Sequence, residues 1–330
     1  MRATAPGRVN LIGDHTDYTG GLVLPMAIDL RTTVTLELGG HEVRLTSSID
    51  HETAVVPIDV TDPGAVTPAW ARYIAGVVAV LAPDEGGAGH VASDVPAGAG
   101  LASSAALEVA VALALGFEGP PLALARACRD AERRASGVPC GIMDQLAIAA
   151  GVEGHALLID CSTEDVTPVA VPAHAAVFVV DSGQRRVLTA SAYAARRAEC
   201  EAAAALVGPL RAAHERSVET IADPVLRRRA RHVVTENRRV AAAAAALATD
   251  DLAALGAAMV ESHASLRDDF EVSTDVLDTL VDDLVRISGV YGARLTGAGF
   301  GGSVVVVAEP DAPVPGRRVH AAAGATVTAV

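Results

Sequence analysis

An α+β fold in two halves is the architecture this sequence predicts, and three observations carry the prediction. Of 330 residues, 51% are hydrophobic and 20% charged, which is ample material for a buried core and a length that suits two ordinary domains. The first third mixes alternating, strand-like segments and turns with one stretch of helical spacing. After residue 163 the texture changes to long alanine- and arginine-rich helices interrupted by short apolar strands. The stretch 163–172 is the best boundary, giving a first half of residues 1–165 and a second of 166–330.

Taken in order, residues 32–38 alternate as TTVTLEL and residues 41–46 alternate again across the Gly39-Gly40 turn signal, which predicts a hairpin. Residues 69–81 have helical spacing, with Trp70, Tyr73, Val77 and Leu81 on one stripe. Residues 90–95 read as a short strand, 96–100 as a glycine-rich loop, and 103–115 (SSAALEVAVALAL) as a strong helix former. Helices over 121–135 and 142–150 and a strand over 156–160 complete the first half. In the second half, 175–181 reads as a buried strand and 191–207 as a helix. Asp223-Pro224 is a helix start, with aspartate as cap and proline at the first helical position, for a body running to residue 248. Helices over 251–267 and 274–287 follow, then strands over 291–295 and 303–308 flanking the glycine-rich TGAGFGG.

Composition excludes several classes of function. All 26 basic residues are arginine, so Schiff-base lysine chemistry and any phosphate loop that depends on its own lysine are out. A net charge of −14 argues against a nucleic-acid backbone as partner. Cys128, Cys140, Cys161 and Cys200 form no CxxC pair and are too sparse for a disulfide scaffold. The first residues lack a charged leader with an apolar signal core, and no apolar run reaches the ~20 residues of a membrane span. The expectation is a cytoplasmic protein, a monomer or weak homo-oligomer, with small-molecule partners, no nucleic acid and no membrane.

Four segments carry chemistry. In PAGAGLASSA (96–105) the glycines Gly98 and Gly100 let backbone approach a ligand closely, and the helix that follows offers free N–H groups to an anion. Ser103 and Ser104 can cap that helix, bind phosphate oxygens or ligate Mg²⁺, and an ordinary capped helix after a turn fits the same residues. In APGRVNLIGDHTDY (5–18), Arg8 offers a fork of donors while Asp14, His15 and Asp17 offer acceptors at turn spacing, the mixture that polyol recognition requires and that solvated loops also show. Burial of Leu11 and Ile12 favours the first reading. Asp144, in GIMDQ, is either a first-turn helix charge or a general base on a hydroxyl nucleophile, and Glu132 lies on the preceding helix. The stretch 296–303 (TGAGFGGS) has more glycine than a turn needs and lacks the strand–loop–helix context of a dinucleotide fingerprint.

Together these segments resemble the galactokinase branch of the GHMP small-molecule kinases. Segments 20–28 (GGLVLPMAI), 139–145 (PCGIMDQ), 191–201 (SAYAARRAECE) and 262–273 (SHASLRDDFEVS) share the resemblance, which covers nearly the whole chain. It implies a two-domain GHMP kinase fold, with a first half like domain 2 of ribosomal protein S5, a ferredoxin-like second half, and substrates in the cleft between them. It implies ATP- and Mg²⁺-dependent phosphorylation of the anomeric hydroxyl of D-galactose, with N-acetylgalactosamine kinase or a non-catalytic galactose/ATP sensor as the alternatives. Residue by residue, Asp144 matches the catalytic aspartate and Arg8 the arginine beside it. Asp14, His15, Asp17, Gly141 and Tyr193 match sugar-contacting positions. Pro96, Gly98, Ala99, Gly100, Leu101, Ala102, Ser103 and Ser104 match the phosphate cradle, and Trp70 an adenine wall. Glu132 and one of the serine pair, Ser104, match the metal ligands. Two departures stand out: Asp14 replaces the family's usual glutamate, and Ala102 replaces the first of three serines.

Overall fold

The computed structural model describes residues 1–48, 50–185 and 189–329. In chain order the elements are β1 (Arg2–Asn10), β2 (Leu22–Val23), β3 (Pro25–Leu38), β4 (Glu42–Ser47), β5 (Ala54–Pro57), α1 (Ala71–Leu81), β6 (Gly87–Ser93), α2 (Ser103–Ala114), α3 (Pro121–Ser136), α4 (Met143–Ala150), β7 (His155–Asp160) and β8 (Asp165–Ala170). Then come β9 (Ala176–Asp181), α5 (Thr189–Val207), α6 (Glu215–Val218), α7 (Pro224–Ala248), α8 (Leu252–Asp268), α9 (Asp275–Leu284), β10 (Val290–Thr296), β11 (Ser303–Ala308), β12 (Arg317–Val319) and β13 (Thr326–Thr328). The predicted helices form close to their predicted bounds, and Asp223 caps α7 by accepting the N–H groups of Val225 and Leu226.

The first half is a six-stranded sheet in the order β13-β1-β3-β6-β4-β5, covered by α1 to α4. The predicted hairpin does not form. β3 pairs with β1 and β6, and β4 pairs parallel with β6, so β6 slots between the two segments that the Gly39-Gly40 turn separates. Glycines explain the insertion, since a Cβ at Gly86 or Gly89 would overlap the carbonyls of Glu42 or Thr35. On α1 the buried face is Ile74, Ala75, Val77 and Val78, whereas Trp70 and Tyr73 are half-buried and face the cleft. Of the opening segment, residues 5–10 belong to β1, which runs antiparallel to β3 with a register shift at Pro6/Gly7, and Asp14, His15 and Asp17 lie in the turns that follow.

The second half is a four-stranded antiparallel sheet, β10-β11-β9-β12. Alternation along β9 sends Ala176, Phe178 and Val180 to a core with α5, α7 and α9, and Val177 and Val179 to a second core. That second core also contains Val9, Leu11, Ile12, Ala99 and Leu101 from the first half, so the two halves share apolar packing next to the cleft. A division at 165/166 falls on the first residue of β8, whose partner β7 belongs to the first half, and β13 returns to pair with β1.

α8 lies directly on β10: a Cβ at Gly256 would overlap the Tyr291 carbonyl, and one at Gly292 the Gly256 carbonyl. This bare backbone contact sets the height of the strand that leads into 296–303. Gly256→Val is therefore expected to destabilise the protein by about 1–3 kcal/mol, read as a shift in urea midpoint. An unchanged midpoint would show that α8 is free to lift away from the strand.

Candidate active site

The cleft between the halves has two adjoining lobes of about 750 Å³ each, and both are lined by Arg8, Trp70, Gly98, Glu132 and Asp144. Arg8 stands at the junction because β1 runs against the glycine-rich loop 96–102. A Cβ at Gly7 would come within 2.9 Å of the Leu101 carbonyl, and the Arg8 N–H donates to that carbonyl at 3.1 Å. The guanidinium forks onto Asp144, Nε to Oδ1 at 2.8 Å and Nη2 to Oδ2 at 2.6 Å, while Nη1 donates to the Gly100 carbonyl at 2.5 Å. Burial works against the Arg8 charge, but the charge and hydrogen bonds of Asp144, with Asp14 and Asp17 nearby, leave its pKa above the ordinary arginine value.

One lobe gathers Asp14, His15, Asp17, Gly141, Tyr193 and Ala298. Asp14 is buried, and burial raises its pKa despite an ion contact of 2.6 Å from Oδ2 to the Arg294 guanidinium. Its Oδ1 accepts the Gly297 N–H at 3.0 Å. His15, in the left-handed region at φ 65°, sits with Nε2 3.2 Å from the Ala298 carbonyl and Nδ1 3.0 Å from the Tyr18 hydroxyl. A carbonyl only accepts, so Nε2 carries the hydrogen and Nδ1 accepts from Tyr18. Burial lowers the His15 pKa to about 3, so the ring is neutral at physiological pH, and it packs against Phe270 and Tyr193.

Asp17 differs from Asp14. Among the described residues no cation lies within ion-pair distance of its carboxylate, and burial together with the nearby Asp144 charge pushes its pKa up to about 7. Gly141 makes room for it, since a Cβ there would overlap the carboxylate. Asp17 thus keeps acceptor capacity facing this lobe.

The other lobe is edged by the loop that leads into α2. Pro96 and Gly98 are exposed at its rim, whereas Ala99 and Leu101 are buried behind it and are not among the residues that line it. Gly98, Gly100 and Ala102 all adopt positive φ (76°, 85° and 57°), curling the backbone into a concavity before α2. Ser103 and Ser104 occupy the first turn, and Ser104 Oγ donates to Glu132 Oε1 at 3.2 Å. A hydroxyl and a carboxylate beside this concavity fit Mg²⁺, which takes few protein oxygens and completes its shell with other ligands and water. Trp70 stands at the wall with its indole N–H on the Glu52 carbonyl at 3.2 Å.

Several supporting residues escaped the sequence reading. Gln145 Nε2 reaches both Glu132 Oε2 (2.5 Å) and Glu108 Oε2 (3.2 Å), and Glu108 is fully buried with its pKa pushed well up by burial. Arg294 also donates to the Asn10 and Leu11 carbonyls, both at 3.3 Å. His232 holds the Asp14 carbonyl at 3.2 Å, and Glu236 accepts the Gly13 N–H at 3.0 Å. A sequence signal existed for two of them: Glu108 is the lone charge within an apolar helix, and Arg294 the lone charge within an apolar strand.

A two-half α+β chain whose opening strand, glycine–serine loop and second glycine loop meet in one cleft defines a small-molecule kinase of the GHMP type. Residues 72–152 match the GHMP kinases N terminal domain and 243–319 the GHMP kinases C terminal domain. Residues 1–37 match the galactokinase galactose-binding signature. The human galactokinase is 43% identical over 99% of this chain and 89% of its own length, and the Chloroflexus aurantiacus galactokinase 45% over 94% and 84%. The crystal structure of Lactococcus lactis galactokinase complexed with galactose superposes with a TM-score of 0.90 at 30% identity, covering 98% of this chain and 94% of that one. The Methanococcus jannaschii mevalonate kinase, at 21% identity and TM-score 0.67 over 94% and 90%, shares the fold. The chain belongs to the galactokinase family.

Asp17 gives the site a pH signature. Its folded pKa of about 7 exceeds the ordinary 3.8, so the native state holds this proton longer than the unfolded chain does. The parent therefore loses stability as pH rises from about 4 to about 7, and the loss is complete above that window. Asp17→Asn lacks this penalty. Its melting temperature is expected to exceed the parent's at pH 8, with the gap shrinking by pH 5; a gap independent of pH would mean that Asp17 ionises normally.

Proposed function

We propose that this chain transfers the γ-phosphoryl group of ATP to the anomeric hydroxyl of D-galactose, giving galactose 1-phosphate and ADP, with Asp144 and Arg8 at the point of transfer. The observation that carries the proposal is the Arg8–Asp144 fork at the junction of the two lobes, of which we read one as the polyol side and the other as the triphosphate side. Asp144, 29% exposed beside the almost fully buried Arg8, can reach a ligand that Arg8 itself meets only through one face. In this reading Asp144 orients the anomeric hydroxyl and accepts its proton as the new O–P bond forms, while the adjacent guanidinium keeps the carboxylate oriented and offsets charge on the transferring group.

Sugar recognition is assigned to Asp17, with Asp14, His15, Gly141 and Tyr193 shaping the pocket. A carboxylate has about four lone-pair sites, so Asp14 retains capacity for a hydroxyl beyond its bonds to Gly297 and Arg294. Residues 96–104 and Trp70 are assigned to ATP. Ser104 and Glu132 would hold Mg²⁺, which when bound neutralises phosphate charge. A boundary near the β7–β8 hairpin, close to 165/166, separates the half that supplies Arg8, the phosphate loop and Asp144 from the half that supplies Tyr193 and the 296–303 turn. The four free cysteines support a cytoplasmic setting, and among the described residues no helix is long and apolar enough to cross a membrane.

Asp144→Asn keeps size and removes the proton acceptor, so turnover is expected to fall by about 10²-fold or more while galactose still binds by calorimetry. Near-normal turnover would remove Asp144 from the proposal. ADP release measured against galactose, glucose, 2-deoxygalactose and N-acetylgalactosamine tests the sugar: equal use of glucose and galactose, or preference for N-acetylgalactosamine, would overturn the assignment.

Glu132→Gln is expected to raise the Mg²⁺ concentration needed for tight binding of a non-hydrolysable ATP analogue, because a hard cation loses an anionic ligand. A calorimetric titration with the same metal dependence as the parent would make Glu132 a structural carboxylate only.

A further inference from the structure

The phosphate loop has three successive carbonyls turned toward the protein. Ser303 Oγ donates to the Ala99 carbonyl at 2.8 Å, Arg8 Nη1 to that of Gly100 at 2.5 Å, and the Arg8 N–H to that of Leu101 at 3.1 Å. In a planar trans peptide the N–H points away from its carbonyl. The N–H groups of Gly100, Leu101 and Ala102 are therefore turned away from these holders, at the end of the hydrogen-bonded turn 97–100. Left-handed backbone at Gly98, Gly100 and Ala102 gathers such N–H groups into an anion-binding concavity.

Arg8, which supplies two of the three holding bonds, is already part of the proposed transfer site. The third holder is not. Ser303 is fully buried at the start of β11, in register with Thr296 on β10, whose hydroxyl bonds the Asn10 carbonyl at 3.1 Å. One end of the 296–303 turn thus grips the opening segment and the other grips the phosphate loop.

We propose that Ser303 is a positioning residue for phosphoryl transfer: its hydroxyl fixes the Ala99–Gly100 peptide so that the Gly100 N–H faces the phosphates of the nucleotide. The inference rests on the reading of residues 96–104 as the phosphate cradle. Without the hydroxyl, the Ala99 carbonyl loses its buried partner and the peptide, flanked by a glycine on each side of Ala99, is free to rotate. Binding of anions then weakens, while Gly297 and Ala298, which line the sugar lobe at the other end of the same turn, stay held by Asp14, His15 and the Thr296 hydroxyl.

Calorimetry with a non-hydrolysable ATP analogue and, separately, with galactose tests this on the parent, Ser303→Ala and Ser303→Cys. The expected result is an analogue affinity lowered about three- to tenfold in Ser303→Ala, an intermediate loss with the weaker thiol donor, and galactose affinity within about twofold of the parent. Unchanged analogue affinity in Ser303→Ala would overturn the inference, as would equal weakening of both ligands, which is the mark of a generally loosened strand. A parent that binds galactose but no analogue would instead overturn the cradle reading itself, and this inference with it.

Discussion

Arg8 is the group on which the rest of the site depends, because each of its donors holds something different. Two go to Asp144, one to the Gly100 carbonyl and the backbone N–H to the Leu101 carbonyl. A guanidinium has a rigid planar fork, so fixing any one of these partners fixes the direction of the others. The register shift at Pro6/Gly7 and the absence of a side chain at Gly7 bring the strand close enough for this to happen. A lysine, with one point charge on a flexible stem, has no equivalent geometry, and this chain uses arginine at every cationic position.

Buried charge around Arg8 is distributed unevenly, and the unevenness has consequences. Asp14 is answered by Arg294, a fully buried cation from β10, and by the Gly297 N–H. Glu236 is satisfied by the Gly13 N–H, the Ser262 hydroxyl and Arg239, and its pKa lies below the ordinary glutamate value because His232, Arg239 and Arg294 outweigh burial. Asp17 is raised by burial first and by the nearby Asp144 charge second, and among the described residues no cation pairs with it. His15 and His232 stay neutral because burial among other cations makes protonation costly. The neutral rings act as oriented hydrogen-bond relays, tying the opening loop to the 296–303 turn and to α7.

The segments with strong local signals were legible. Ser103 to the end of its helix, the Asp223 cap and the apolar β9 and β11 strands follow from propensity, capping and periodicity, which act over a few residues. Reading failed where pairing was nonlocal. A turn signal at Gly39-Gly40 correctly marks a change of direction, yet β6, some forty residues further on, takes the place of the expected hairpin partner. The stripe that helical spacing places on Trp70, Tyr73, Val77 and Leu81 differs in depth along its length: Val77 is buried, whereas the cleft leaves Trp70 and Tyr73 half-exposed.

By itself, the sequence determined the α+β class, the absence of lysine chemistry, and the identity and chain order of the four segments read as candidates for chemistry. These depend on residue type and short spacing, which are properties of the unfolded chain as much as of the folded one. Only the tertiary structure decided which groups meet: that Arg8 bridges Asp144 and the Gly100 carbonyl, that Arg294 reaches back 280 residues to Asp14, and that Gln145 joins Glu108 to Glu132. It also decided that Asp14 and Asp17, three residues apart in one motif, carry different charge environments. The reason is physical: desolvation and Coulomb forces act through space over a few ångströms, and those distances are set by the packing of helices and strands far apart in the chain.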